Sequence, residues 1–184
     1  MNAKDLERLL EAQGVSHAKM DGITRKLRES GSLPKGGRGT NAPVIGPTEA
    51  AIILIALAGS AKANEADARV GKLKRLISTS KGKGSRTLLD VVTSYLDGGS
   101  SLDALSEVRV SRTKRRAACH FRDGQIEEFL SSRPDMRADR FYVEGILSAP
   151  LLALVARALG DSGGKVGGRG VRKNRRSRGG GKGE

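Results

Sequence analysis

The sequence predicts an α+β protein: a helical N-terminal half, then a small antiparallel β-sheet closed by a C-terminal helix, then a disordered basic tail. Three observations predict it. Apolar residues recur at helical spacing as far as Leu96, and from Val108 to Phe121 they alternate as in strands. The final stretch, 160–184, is rich in glycine and arginine and nearly devoid of apolar side chains. Charge divides the chain similarly, with 8 basic and 5 acidic residues in a head at 1–46, 18 and 13 in a body at 47–159, and 8 and 2 in the tail.

In the head, Leu6, Leu9 and Leu10 fall on one face of a helix over Ala3 to Ala12. Gly14-Val15-Ser16 breaks it, and a second helix follows with Ile23 and Leu27 four apart on its inner face. Its other sides carry Lys19, Arg25, Lys26 and Arg28, and the stretch from Ile23 to Gly39 runs directly into a basic glycine-rich turn. This order of helix, turn, basic helix and basic loop predicts a winged helix-turn-helix.

In the body, Pro47 suits the first turn of a helix that runs to about Gly59. Ile52 to Ile55 and Leu57 surround that helix, which must be covered on several sides, within the monomer or by a second subunit. Asn64 is expected to cap a helix with the stripe Ala66, Val70, Leu73 and Ile77 and with Arg69, Lys72, Lys74 and Arg75 on its other sides, solvated or touching phosphate. After the loop 81–84, Ser85 is expected to cap a third helix with Leu88, Leu89, Val92, Tyr95 and Leu96 aligned, ended by Gly98. Val108 and Val110, Ala117 to Phe121 and the Asp123-Gly124 turn predict a three-stranded meander. Phe141, Val143 and Gly145 to Leu147 suggest a fourth strand, and Ser148 and Pro150 mark the start of a last helix, Leu151 to Leu159.

Residues 3–46 resemble the DNA-binding head of the MerR and excisionase type of winged helix. The matching pieces are Gly14-Val15-Ser16, Ile23-Thr24-Arg25, Gly31-Ser32-Leu33-Pro34, and the basic wing from Lys35 to Arg38. Extra residues separate Ser16 from Ile23, and Lys26 and Leu27 stand where that family has paired aromatics. The body does not resemble the family's effector region, so the resemblance implies DNA binding and no sensing function.

The residues themselves point the same way. Base edges are read by Arg, Ser or Thr, and neighbouring cations hold phosphates, a set supplied by Ser16, His17, Lys19, Thr24, Arg25, Lys26 and Arg28. Lys35 and Arg38, set among glycines, suit a phosphate or the minor groove. The bland alternative is a solvated helix face with a flexible loop. In the tail, Lys165, Arg169, Arg172, Lys173, Arg175, Arg176 and Arg178 would add salt-sensitive affinity with little sequence preference. The cluster Arg109, Arg112, Lys114, Arg115 and Arg116 reads equally as an exposed turn or a second DNA-facing patch.

A formal net charge of +14 favours nucleic acid, an anionic membrane or an acidic protein as partner. The longest apolar run, Ala50 to Ala58, falls far short of the ~20 residues that span a bilayer. With neither a signal-peptide core nor a lipidation motif near Met1, the expected location is the cytoplasm, associated with the nucleoid. Cys119, with only His17 and His120 as further soft ligands, excludes a disulfide within the chain and argues against zinc; it reads as a buried filler. The segment 81–85 lacks the spacing of a phosphate-binding loop. No cofactor and no enzymatic activity are expected. The sequence thus reads as a sequence-specific double-stranded DNA-binding protein, a transcriptional regulator of bacterial or phage type that pairs as a homodimer on an inverted repeat. The alternatives are an architectural or DNA-packaging protein of the nucleoid or small-terminase kind, and an RNA binder led by the tail.

Overall fold

The computed structural model describes residues 1–35, 43–80, 86–99, 104–131 and 143–163. The wing with Arg38, the loop at 81–84 with the expected cap Ser85, and the tail from Lys165 to Arg178 lie outside the described residues.

The N-terminal helices form where the apolar spacing placed them. Helix α1, Ala3–Ala12, opens on a capping box in which Asn2 and Asp5 satisfy each other's backbone amides. It buries Leu6 and Leu10, and the chain turns at Gly14 with φ +88°, a left-handed conformation suited to glycine. Helix α2, His17–Glu29, buries Met20, Ile23 and Leu27 and ends at Gly31 with φ +77°. Leu33 then folds back, its amide donating to the Leu27 carbonyl at 3.0 Å, and is buried.

Helix α3, Pro47–Gly59, is the centre of the molecule: every residue from Ala50 to Gly59 is buried. The cover for which a second subunit was one expectation comes from the chain itself, because α2, α4, α5, α6, β2 and β5 all pack against α3. Helix α4, Ala66–Leu73, follows a 3-10 turn at Ala63–Glu65, so Asn64 lies within the turn and is not the helix cap. This helix stops at Leu73, and Ile77 is no part of its stripe: Ile77–Ser78 is a short strand, β1. Helix α5, Leu88–Leu96, is capped by Thr87 with Asp90, two residues beyond the expected Ser85, because the Thr-x-x-Asp pair can close a reciprocal box.

The expected meander is present as β2 (Leu105–Ser111), β3 (Arg116–Phe121) and β4 (Ile126–Leu130), with Gly124 at φ +85° in the second turn. The fourth expected strand is β5 (Glu144–Ser148), paired antiparallel with β2. With β1 on β4 the sheet has five strands in the order β1-β4-β3-β2-β5. Its inner face, including Val108, Val110, Cys119, Phe129 and Leu147, joins the helices in one apolar cluster that also holds Leu6, Met20 and Ile23. Helix α6, Ala149–Gly163, packs on β2, β5 and α5 and is longer at both ends than the expected Leu151 to Leu159.

Two features fix the relative positions of these layers. Gly145 of β5 passes directly beside the end of α3, where a Cβ would overlap the Ala58 carbonyl. On the β1–β4 edge, buried Glu127 accepts from the Arg86 guanidinium and from Ser78 Oγ at 2.6 Å, tying the approach to α5 onto the sheet.

Candidate nucleic-acid interface

Because α2 packs against α1, α3 and α4, its free surface is a narrow strip. Ser16 is spent as the N-cap, its Oγ accepting from the Lys19 amide at 3.4 Å. His17 is exposed, with Nδ1 2.5 Å from Glu11 Oε1, and that carboxylate raises its pKa above the ordinary value. Lys26 pairs with Glu29 at 2.7 Å and Arg28 with Glu7 at 3.6 Å. Arg25 is exposed and has no ion pair among the described residues. Arg25, Arg28 and Lys35, with Glu29, line an open depression of about 450 Å³.

Two residues expected to face DNA turn inward. Thr24 is fully buried, and its Oγ1 donates to the Met20 carbonyl at 3.0 Å. Its Oγ1 also reaches Glu7 Oε1 of α1 at 3.3 Å, so Thr24 is enclosed on the side of α2 that packs on α1, and a base edge cannot reach it. Lys19 sends Nζ to the Leu57 carbonyl at 3.4 Å. Burial lowers its pKa below the usual lysine value, and repulsion from Arg112 adds to this.

The turn of Lys19 has a physical cause in α3. The last carbonyls of a helix lack intrahelical donors, and those of α3 are enclosed by protein, so they need donors from elsewhere. Lys19 serves Leu57, Arg112 Nε serves Ala58 at 3.0 Å, and Arg69 Nε serves Gly59 at 3.3 Å. Three cations that look alike in the sequence are thereby assigned to one buried helix end.

The basic turn between β2 and β3 is divided in the same way. Arg109 lies 2.5 Å from Glu107 and 4.0 Å from Glu144, and Arg116 lies 4.0 Å from Glu128, so the outer sheet face carries paired charges of both signs. Lys114 and Arg115 go to α4, drawn there by Arg69, whose guanidinium donates to the Ser111 carbonyl at 2.8 Å and to the Lys114 carbonyl at 3.3 Å. Lys72, Arg75 and Arg115 consequently meet around a depression of about 220 Å³ that Ser131 also lines. All three are exposed, and no carboxylate pairs with them among the described residues. Sequence reasoning had both halves of this cluster, the α4 face and the turn, without their junction; the signal for it was Arg69, a long donor on the side of α4 next to its apolar stripe.

Other chemistry has little support among the described residues. No group of three or more His, Cys, Asp or Glu could hold a metal ion, and no helix is long and apolar enough to cross a membrane. Burial pushes the Cys119 thiol up to about 12, as for a core filler. The architecture is mixed α+β, with helices packed on one face of an antiparallel sheet. No family model matches the chain, and no curated protein or solved structure matches it either.

Proposed function

We propose that this protein binds double-stranded DNA, with the outer strip of α2 against a groove and the Lys72, Arg75 and Arg115 cluster on a flanking backbone. The observation that carries the reading is that cluster: three exposed cations from two separate elements, with no described acid to offset them, are a phosphate-binding surface. Arg25 is the side chain of α2 best placed to reach a base edge, with Lys35 beside it for a phosphate. On this reading the protein acts as a sequence-recognising transcriptional regulator of bacterial or phage type, and the tail adds affinity that salt removes. A homodimer on an inverted repeat remains part of the proposal.

A second reading, an architectural or packaging protein, is favoured by one specific observation. The strip on α2 contains Asp21 and Glu29, and His17, Lys26 and Arg28 are each paired with an acid, so phosphate contacts outnumber possible base contacts. Selection from random-sequence duplexes by the full chain and by Arg25→Ala separates the two. A regulator enriches one motif that the variant loses; an architectural protein enriches none, while still retarding any duplex. Failure to retain duplex DNA at low salt would refute both readings.

A further inference from the structure

We propose that the cleft between the α1–α2 turn, the end of α3 and β5 is a binding site for a small carboxylate with an apolar tail, its anionic group held by Lys19 and Arg112. The cleft has a volume of about 380 Å³, within the range of roughly 300–1,000 Å³ common to small-molecule sites. Its walls include Leu10, Val15, Leu54 and Leu151, and Gly145 leaves one side as bare backbone against α3. Lys19 and Arg112 are its cationic lining residues. A pocket that is apolar along its walls and cationic in one place selects an amphipathic anion over either a plain alkane or an inorganic ion.

The two cations are more than caps for α3. Each gives one donor to a helix carbonyl, Lys19 to Leu57 and Arg112 through Nε to Ala58. An ammonium has three donors and a guanidinium five, so donors remain on both, and the planar fork of Arg112 suits a carboxylate. The described residues offer these cations no carboxylate; burial depresses the Lys19 pKa, and repulsion from Arg112 adds to it. An anion between them would remove that repulsion and, in a partly desolvated cleft, would bind more strongly than on an open surface. The site is also joined to α2, because Gly14, Val15 and the cap Ser16 form part of its wall. Carboxylate binding here does not depend on DNA binding.

Octanoate is the probe, with octanol as its neutral match and acetate as its headgroup alone, titrated calorimetrically into the full chain. Saturable binding of octanoate is expected at one site per chain, with octanol and acetate at least about tenfold weaker, as a charged hydrogen bond in a sheltered site implies. Arg112→Gln should weaken octanoate by about tenfold or more while Arg112→Lys retains part of the affinity. Since Arg112→Gln also removes a helix cap, Leu151→Trp supplies an independent check: Leu151 lines the cleft from the first turn of α6 and is only partly buried, so the larger indole fills the cleft without entering the core. Loss of binding in both variants, with circular dichroism unchanged in the second, supports the site. Equal binding of octanoate and octanol, full affinity in Leu151→Trp, or no saturable binding overturns it.

Discussion

The Arg69 guanidinium donates to the Ser111 carbonyl at 2.8 Å, and this hydrogen bond holds the β2–β3 turn against α4. The same side chain reaches Gly59 at 3.3 Å and Lys114 at 3.3 Å, so it joins the end of α3, the sheet and the cationic cluster. Arg69→Met keeps the length of the side chain and removes all of its donors. Charged hydrogen bonds to otherwise enclosed carbonyls are worth enough that the variant should lose about 2 kcal/mol or more in urea unfolding. It should also weaken DNA binding, because Arg115 would no longer be held beside Lys72 and Arg75.

Salt dependence tests the proposed phosphate surface directly. Replacing Lys72, Arg75 and Arg115 together by serine should reduce the slope of log K against log salt by about 0.9 for each phosphate that is no longer neutralised. Affinity should fall similarly on all duplexes. An unchanged slope would refute the role proposed for this cluster.

Two glycines should respond in opposite directions to alanine. At Gly145 a Cβ would overlap the Ala58 carbonyl, and backbone on both sides leaves no room to relax. Gly145→Ala should cost about 3 kcal/mol or more. Gly71, inside α4, has nothing within 4 Å of the added Cβ, so Gly71→Ala should stabilise by about 0.5–1 kcal/mol. Denaturant midpoints for the pair check both signs.

Alkaline lability follows from Cys119 and Tyr95, both buried and both raised by burial to about 12 from ordinary values of 9.0 and 10.0. Each keeps its proton when folded and releases it when unfolded, so their stabilisation is complete below the unfolded values. It declines as pH rises from about 9 towards about 12. Urea midpoints should fall steadily across that window, and Cys119→Val should flatten the early part of the decline.

The helices α1, α2, α3, α5 and α6 and the strands β2 to β5 were legible because their signals are local: apolar spacing, a Pro near a start, an Asp-Gly turn. The strand β1 was not. Ile77 lies at helical spacing from Leu73, and only its pairing with Leu130 across the sheet makes it a strand. The cap of α5 was displaced because Ser85 and Thr87 are both capping residues, and the choice rested on which one had an acid three residues on. At the candidate interface the sequence supplied the residue types, but Thr24 and Lys19 look as available for a partner as Arg25. A helix packed on one side would leave them so; α2 is packed on two.

What the sequence determined by itself is the class of structure and the excess of positive charge, since periodicity and composition are properties of the chain alone. Which cations remain for a partner was decided by the tertiary structure. Burying α3 removes water from its final carbonyls, and those groups then require donors. Lys19, Arg69 and Arg112 are drawn in to supply them, and Arg25, Lys72, Arg75 and Arg115 stay outside. Neither demand exists until the helix has been surrounded.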